Sequence, residues 1–325
     1  MAVYTYLSTD ALKALIGEFD VGELRSAKGI AEGVSNTNFL VETEGSAGEG
    51  ARFILTIYET RTDVADLPFF LKLLDHLAAR GCPVPRTIHD RGDRPFRLVN
   101  GKAAALIEFL PGISVTDPTP GQARSVGAAL AQMHLAAADF PMARENGLGL
   151  AGWRDLAAQC TPAGLDSIHA GLGTLVAEEL ALLAQHWPDG LPRSVIHADL
   201  FPDNVLMLGD QVTGLIDFYF ACTDMMAYDV AVTHAAWCFD AAGETFDPAR
   251  SAALLEGYES VRALSDAERT ALPLLARGAS MRFLMTRAYD WMNTPADALV
   301  TRKDPMAFAN RMTFYADPAN AGVFG

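Results

Sequence analysis

A polar loop running directly into a tight hairpin constrains this chain more than any other stretch. The loop is Val195-Ile-His-Ala-Asp199-Leu-Phe-Pro-Asp-Asn204. The β-prone runs Val205–Leu208 and Val212–Phe218 follow it, joined by Gly209-Asp210, a pair suited to a tight turn. Asp199, Asn204 and Asp217 are spaced at offsets of five and thirteen residues. Asp199 falls in the loop and Asp217 at the end of the second strand. Phosphoryl transfer from a magnesium nucleotide needs three such groups. One carboxylate receives the proton of an attacking hydroxyl, while an amide oxygen and a second carboxylate hold metal. Asp, Asn and Pro also favour ordinary turns, so the complete spacing, rather than any one residue, carries the inference. His197, two residues before Asp199, is assigned a supporting role in orienting the loop.

The rest of the chain divides in two around this hairpin. The first third reads mainly as strands, with β-prone runs at Asn38–Glu42 and Arg52–Tyr58 separated by the glycine-rich Glu44–Gly50. A helix follows, with Asp66 as its cap, Pro68 in its first turn and Gly81 at its end. Leu67, Phe70, Leu71, Leu74, Leu77 and Ala78 form its buried face. A hairpin around Arg91-Gly-Asp93 leads to an inner strand at Ala103–Phe109. At Leu110-Pro-Gly112 the character changes to helix. Val126, Leu130 and Met133 mark one helix and Leu175–His186 another. The spans 224–240 and 266–292 are further candidates, the last bent at Pro273. The expected fold class is α+β, with a small antiparallel-sheet lobe over 1–110, holding one main helix, and a mostly helical lobe over 111–325.

Two further segments suit a nucleotide. Gly33, Ser35 and Asn36 lie between predicted strands and offer small side chains and backbone amides that can approach phosphate oxygens. Glu108 and Leu110 lie where strand gives way to helix, where backbone groups can read an adenine edge. Ordinary turn and linker roles account for either segment equally well.

Composition limits the partners. A net charge of −15 leaves no basic stripe to displace counterions, which argues against nucleic-acid binding. Cys82, Cys160, Cys222 and Cys238 are scattered without a Cys-x-x-Cys pair, as expected of buried thiols in a reducing compartment. The N-terminus is unlike a signal peptide and no apolar run approaches bilayer length, so a cytoplasmic protein with no membrane partner is expected. The oligomeric state is not legible in the sequence.

With these residues in place, His197-Ala-Asp199-Leu-Phe-Pro-Asp-Asn204 and Ile216-Asp217-Phe218 resemble the aminoglycoside phosphotransferase and choline kinase superfamily, which has the protein-kinase-like fold. The Gly33-Val-Ser35-Asn36 loop and the Glu108-Phe-Leu-Pro-Gly112 connector fit the same pattern. A narrower resemblance, to the homoserine kinases of this superfamily, rests on Leu67-Pro-Phe-Phe70, Ala78–Pro85, Ala104–Gly112, Arg282–Trp291 and Lys303-Asp-Pro305. It implies transfer of phosphate from ATP, with Mg²⁺, to the side-chain hydroxyl of L-homoserine, a step toward threonine. Other small alcohols (choline, an aminoglycoside, methylthioribose) are the alternatives, as is a catalytically silent nucleotide-binding module.

The chain departs from the superfamily in two places. His-Gly-Asp is His197-Ala198-Asp199, and Thr56 stands where many relatives have a lysine or arginine that pairs with phosphate. Ile54, on the same strand face, can still line an adenine pocket. A carboxylate on the acceptor calls for a guanidinium, and Arg287 or Arg282 in the family-like tail can supply it. Asp224 or Asp229 can hold an ammonium, or can simply favour a helix start. Protein kinase itself is a poor match, since no long activation segment fits between Phe218 and the next predicted helix.

Overall fold

The structure is a computed structural model that describes residues 5–30, 36–59, 63–294 and 302–325. The chain forms two compact units, Met1–Gly112 and Ile113–Gly325.

The first unit is built on an antiparallel sheet. Its elements are α1 (Thr9–Ile16), β1 (Glu23–Ile30), β2 (Thr37–Glu44), β3 (Gly50–Ile57), α2 (Leu67–Ala79), β4 (Thr87–Ile88), β5 (Arg97–Val99) and β6 (Lys102–Glu108). The strand order is β1-β2-β3-β6-β4, with β5 also paired to β6. Ser8 caps α1, and the spacing of Leu12, Leu15 and Ile16 puts all three on one face. That face packs on Phe39, Val41, Leu55, Ile57, Ala104 and Leu106 of the sheet. Ala11, Leu12, Leu15 and Ile16 carried the signal for this helix in the sequence, but the expectation of one main helix passed over it.

Three local expectations are corrected. Asp66 makes no capping bond to α2; it belongs to a short 3-10 turn, Val64–Asp66, capped by Asp63. The hairpin turn lies at Asn100-Gly101, not at Arg91-Gly-Asp93. Both turn residues there have positive φ, 52° and 78°, and β5 pairs with β6 across them. Arg91-Gly-Asp93 closes instead on Asp90, whose carboxylate accepts the N–H groups of Gly92 and Arg94 at 2.8 and 2.9 Å.

The second unit contains α3 (Pro120–Ala136), α4 (Leu150–Cys160), α5 (Pro162–Ile168), α6 (Leu172–His186), β7 (Arg193–Ile196), β8 (Val205–Leu208), β9 (Gln211–Leu215), β10 (Cys222–Met225), α7 (Met226–Trp237), α8 (Pro248–Glu259), α9 (Asp266–Asn293) and α10 (Met306–Ala316). Two antiparallel ladders, β8–β9 and β7–β10, lie among the helices. β7 and β10, absent from the sequence expectation, have four residues each. Helices α3 and α8 cross where Gly127 and Gly257 bring the two backbones into contact; a Cβ on Gly127 would collide with the Leu254 carbonyl, and one on Gly257 with the Arg124 carbonyl. Helix α9 continues through Pro273 for 28 residues behind a Ser265/Glu268 capping box. Among the described residues no helix is long and apolar enough to cross a membrane.

Candidate active site

The loop between β7 and β8 is held from below by α7. Asp229, in the first turn of that helix, is fully buried. Its carboxylate accepts the backbone N–H of His197 at 2.7 Å and that of Ala198 at 2.8 Å. His134 of α3 contacts the same carboxylate at 3.0 Å, and its other ring nitrogen meets the Tyr258 hydroxyl at 2.9 Å. Burial opposes the charge of Asp229, but these hydrogen bonds and His134 outweigh it and hold the carboxyl below its usual range. Asp229 is therefore not an ammonium site, because both of its oxygens are committed inside the protein.

His197 is buried and neutral. Burial is the main cause of its lowered pKa. Its Nε2 donates to the Ile216 carbonyl at 3.0 Å, and its Nδ1 accepts the Asp199 N–H at 3.3 Å. The ring thus ties the loop to the end of β9, with Phe218 packed 4.5 Å from it, centroid to centroid. Ala198 has φ 63°, the left-handed region that glycine adopts without steric cost.

Asp199 emerges from this platform. The Asn204 side-chain N–H₂ donates to the Asp199 backbone oxygen at 2.8 Å and to its carboxylate at 3.1 Å. Both amide hydrogens are thereby used, and Asn204 presents only its oxygen onward. The Ile216 N–H donates to the Asn204 carbonyl at 3.0 Å, which places Asp217 next to the pair. Asp217 lies two residues beyond β9, not at a strand end. Its αL conformation, φ 65° and ψ 57°, turns the chain out of the ladder.

Burial, with the charges of Asp217 and Asp203 added and that of Arg282 opposing, pushes Asp199 up to about 7. Its side chain keeps 18% of its surface, enough for a small molecule to reach it. Desolvation by the surrounding protein and the Asp203 charge raise Asp217 to about 6, although Asp217 still meets solvent. Among the described residues no group of three His, Cys, Asp or Glu side chains forms a closed metal site. The oxygens of Asn204 and Asp217 do suit a hard cation that takes its remaining ligands from phosphate and water.

Arg282 is assigned differently from the sequence expectation. It is 1% exposed, donates to the Ala198 carbonyl and lies 3.9 Å from the Asp199 carboxylate. Its guanidinium sits over Phe283 and Phe220 at 4.6 and 5.2 Å. It steadies the loop and is too enclosed to anchor an incoming carboxylate. Asp224 is likewise engaged, by Asn146 at 2.8 Å, by the Met225 N–H at 2.8 Å and by Arg193 at 3.3 Å. Arg287 is half-buried, stacks 4.5 Å over Phe308 and donates to the Asp304 carbonyl at 3.1 Å. Burial and the Arg311 charge lower Arg287 to about 10, against the pull of Asp203, Asp304 and Asp199. Asp203 and Lys303 meet beside this site at 3.4 Å, and no role followed for either from sequence. His134 was also missed, since a single histidine on an apolar helix face carries no signal.

In the first unit, Gly33 and Ser35 lie outside the described residues. Asn36 is buried, and its side-chain oxygen accepts the Glu59 N–H at 3.2 Å. Glu59 in turn pairs with Lys102 and accepts the Thr37 hydroxyl at 2.8 Å. Ile54 pairs with Leu40 and Ile107 across the sheet. Thr56 is buried and donates to Asn38 at 2.8 Å. The Glu108 carboxylate binds Arg86 at 3.1 and 3.2 Å, and the Glu108 N–H donates to the Arg86 carbonyl at 2.9 Å. Leu110 follows two residues beyond β6 and is half-buried.

A loop Asp backed by a buried Asp, with an Asn and an Asp at the adjoining hairpin, is the arrangement of kinase-type phosphotransferases. The chain belongs to the phosphotransferase enzyme family, whose family model matches residues 26–264. Over its full length it is 50% identical to the homoserine kinase of Methylobacterium radiotolerans, covering 99% of that protein. It is also 50% identical to the homoserine kinase of Gluconacetobacter diazotrophicus, with complete coverage of both chains. Among solved structures it resembles a spectinomycin phosphotransferase in complex with ADP and spectinomycin, with a TM-score of 0.68 at 14% identity and 98% of each chain covered. A choline/ethanolamine kinase family protein from Mesorhizobium loti gives a TM-score of 0.62 at 17% identity, with 97% of each chain covered. At such identities these likenesses concern the fold, which is α+β and protein-kinase-like.

Proposed function

We propose that the chain transfers the terminal phosphoryl group of ATP to the side-chain hydroxyl of L-homoserine, yielding O-phospho-L-homoserine for threonine synthesis. The observation that carries this is the half-identity to homoserine kinases from end to end, tail included. The site chemistry fits it. The substrate oxygen attacks the terminal phosphorus, the bond from that phosphorus to its bridging oxygen breaks, and ADP leaves. Asp199 takes the hydroxyl proton. A pKa near neutrality suits it, because such a base is deprotonated in a large fraction of molecules yet still basic enough to accept a proton. Asn204 and Asp217 would hold Mg²⁺, which supplies charge neutralisation at the phosphates when bound.

We assign nucleotide binding to the Met1–Gly112 unit, with Asn36, Ile54, Glu108 and Leu110 among the contacts. Thr56 offers no cation to phosphate, which leaves that charge to the metal. We assign the Ile113–Gly325 unit to catalysis and acceptor binding. Four free, buried cysteines suit a reducing cytoplasm. A coupled assay of ADP release tests the function directly. Turnover is expected with L-homoserine and not with D-homoserine or choline; a preference for choline would overturn the assignment.

A further inference from the structure

Homoserine carries its ammonium and carboxylate on one carbon. A receptor for that carbon needs an anion and a cation close together, within reach of the catalytic carboxylate. Asp229, Asp224 and Arg282 are spent on internal contacts, as described above. We propose that the Asp203–Lys303 ion pair is the acceptor's zwitterion receptor, Asp203 taking the ammonium and Lys303 the carboxylate, with Arg287 reinforcing Lys303. The assignment rests on homoserine being the acceptor.

Three observations support it. The pair meets at 3.4 Å, a spacing that the adjacent charges of an α-amino acid can replace. Its side chains are 63% and 62% exposed, so the contact is weakened by solvent and is easily surrendered to a ligand. The pair also lies beside the proposed catalytic groups, because Asp203 immediately precedes Asn204, whose side chain donates to the Asp199 carboxylate at 3.1 Å.

The receptor has a rigid floor. The Lys303 ammonium lies 5.8 Å from the centre of the Phe201 ring, which packs edge-on against Phe283 at 4.8 Å. Phe283 in turn packs on Phe308, the ring beneath Arg287. The cation is thereby placed over a fixed aromatic surface next to the loop that carries Asp199.

The test is steady-state kinetics of Lys303→Ala and Asp203→Asn on the full chain, with two competitive inhibitors. Aminopropanol keeps the ammonium and lacks the carboxylate; γ-hydroxybutyrate keeps the carboxylate and lacks the ammonium. Lys303→Ala is expected to raise the L-homoserine KM about tenfold or more, with a much smaller fall in kcat and little change in the ATP KM. It should weaken γ-hydroxybutyrate and spare aminopropanol, whereas Asp203→Asn should do the reverse. Lys303→Arg should restore most of the affinity. An unchanged L-homoserine KM in either variant overturns the receptor, as does a raised ATP KM in Lys303→Ala or an altered Mg²⁺ requirement in Asp203→Asn. Failure of the wild-type protein to use L-homoserine would overturn the proposed function and the receptor together. Wild-type turnover with unaffected variants would overturn the receptor alone.

Discussion

Asp229 and His134 meet at 3.0 Å with no solvent reaching either side chain. The contact joins α7 to α3 directly beneath the loop that carries Asp199. From His134 the polar chain continues through Tyr258 to Arg262 and Glu268, so the loop is tied to α8 and the start of α9.

Removing one member of a buried, paired set leaves the others without compensation. Asp229→Asn is expected to cost about 3–5 kcal/mol in chemical denaturation. The folded-state pKa of Asp229 is depressed, so its stabilisation is complete above the unfolded carboxyl pKa and is lost as pH falls through the folded value. The gap between wild type and variant should therefore narrow in acid. A constant gap from neutral to acid pH would contradict the assignment.

Asp199 carries the opposite sign. With its pKa raised to about 7, the folded carboxyl is destabilising once ionised, an effect absent below the unfolded pKa and complete above 7. Asp199→Asn is expected to be more stable than wild type at pH 8 by up to about 4 kcal/mol without nucleotide, a gap that closes as pH falls toward 4. The same variant should lose about a hundredfold or more in kcat. Wild-type kcat/KM should rise with pH through about 7, and Asp199→Asn should lack that limb. Thermal melts and pH–rate profiles report the two effects separately.

Arg282 reaches the Ala198 carbonyl while stacked between Phe283 and Phe220. A lysine has neither the planar surface nor the fork for this. Arg282→Lys should lower kcat about tenfold or more, with a small change in the homoserine KM, because the loop and not the acceptor loses its support. A selective rise in the homoserine KM would return Arg282 to the substrate site.

Ala198 sits at φ 63° in a fully packed position. Elsewhere Ala→Gly destabilises by loosening the unfolded chain. Here glycine also relieves a left-handed strain of about 1–2 kcal/mol. Ala198→Gly should leave the melting temperature unchanged or raise it, with activity retained; a clear loss of stability would mean that packing of the methyl group outweighs the backbone term.

Much of the site could be read along the chain because its parts are close in sequence. Asn204 and Asp217 bracket one hairpin whose turn is marked by Gly209-Asp210, so local rules place them at the same end. Helix α7 was harder to delimit because all twelve of its residues are buried, which leaves no polar face to set a period. Strands β7 and β10 stayed hidden because their pairing partners are about thirty residues apart, with no tight turn between them to mark a hairpin.

The order of residues by itself singled out the groups proposed to do the chemistry: a carboxylate, an amide and a second carboxylate, tethered by a short hairpin that leaves them little freedom to separate. Folding alone decided what the remaining charges are for. Asp229, Asp224 and Arg282 read from sequence as possible substrate contacts, yet packing spends each of them inside the protein. Asp203 and Lys303, a hundred residues apart, become neighbours only when α10 and its leading segment return to the loop. The reason is physical: composition and spacing report what a side chain can do, whereas burial and the nearest partner determine whether that capacity faces a ligand or is used up in holding the chain together.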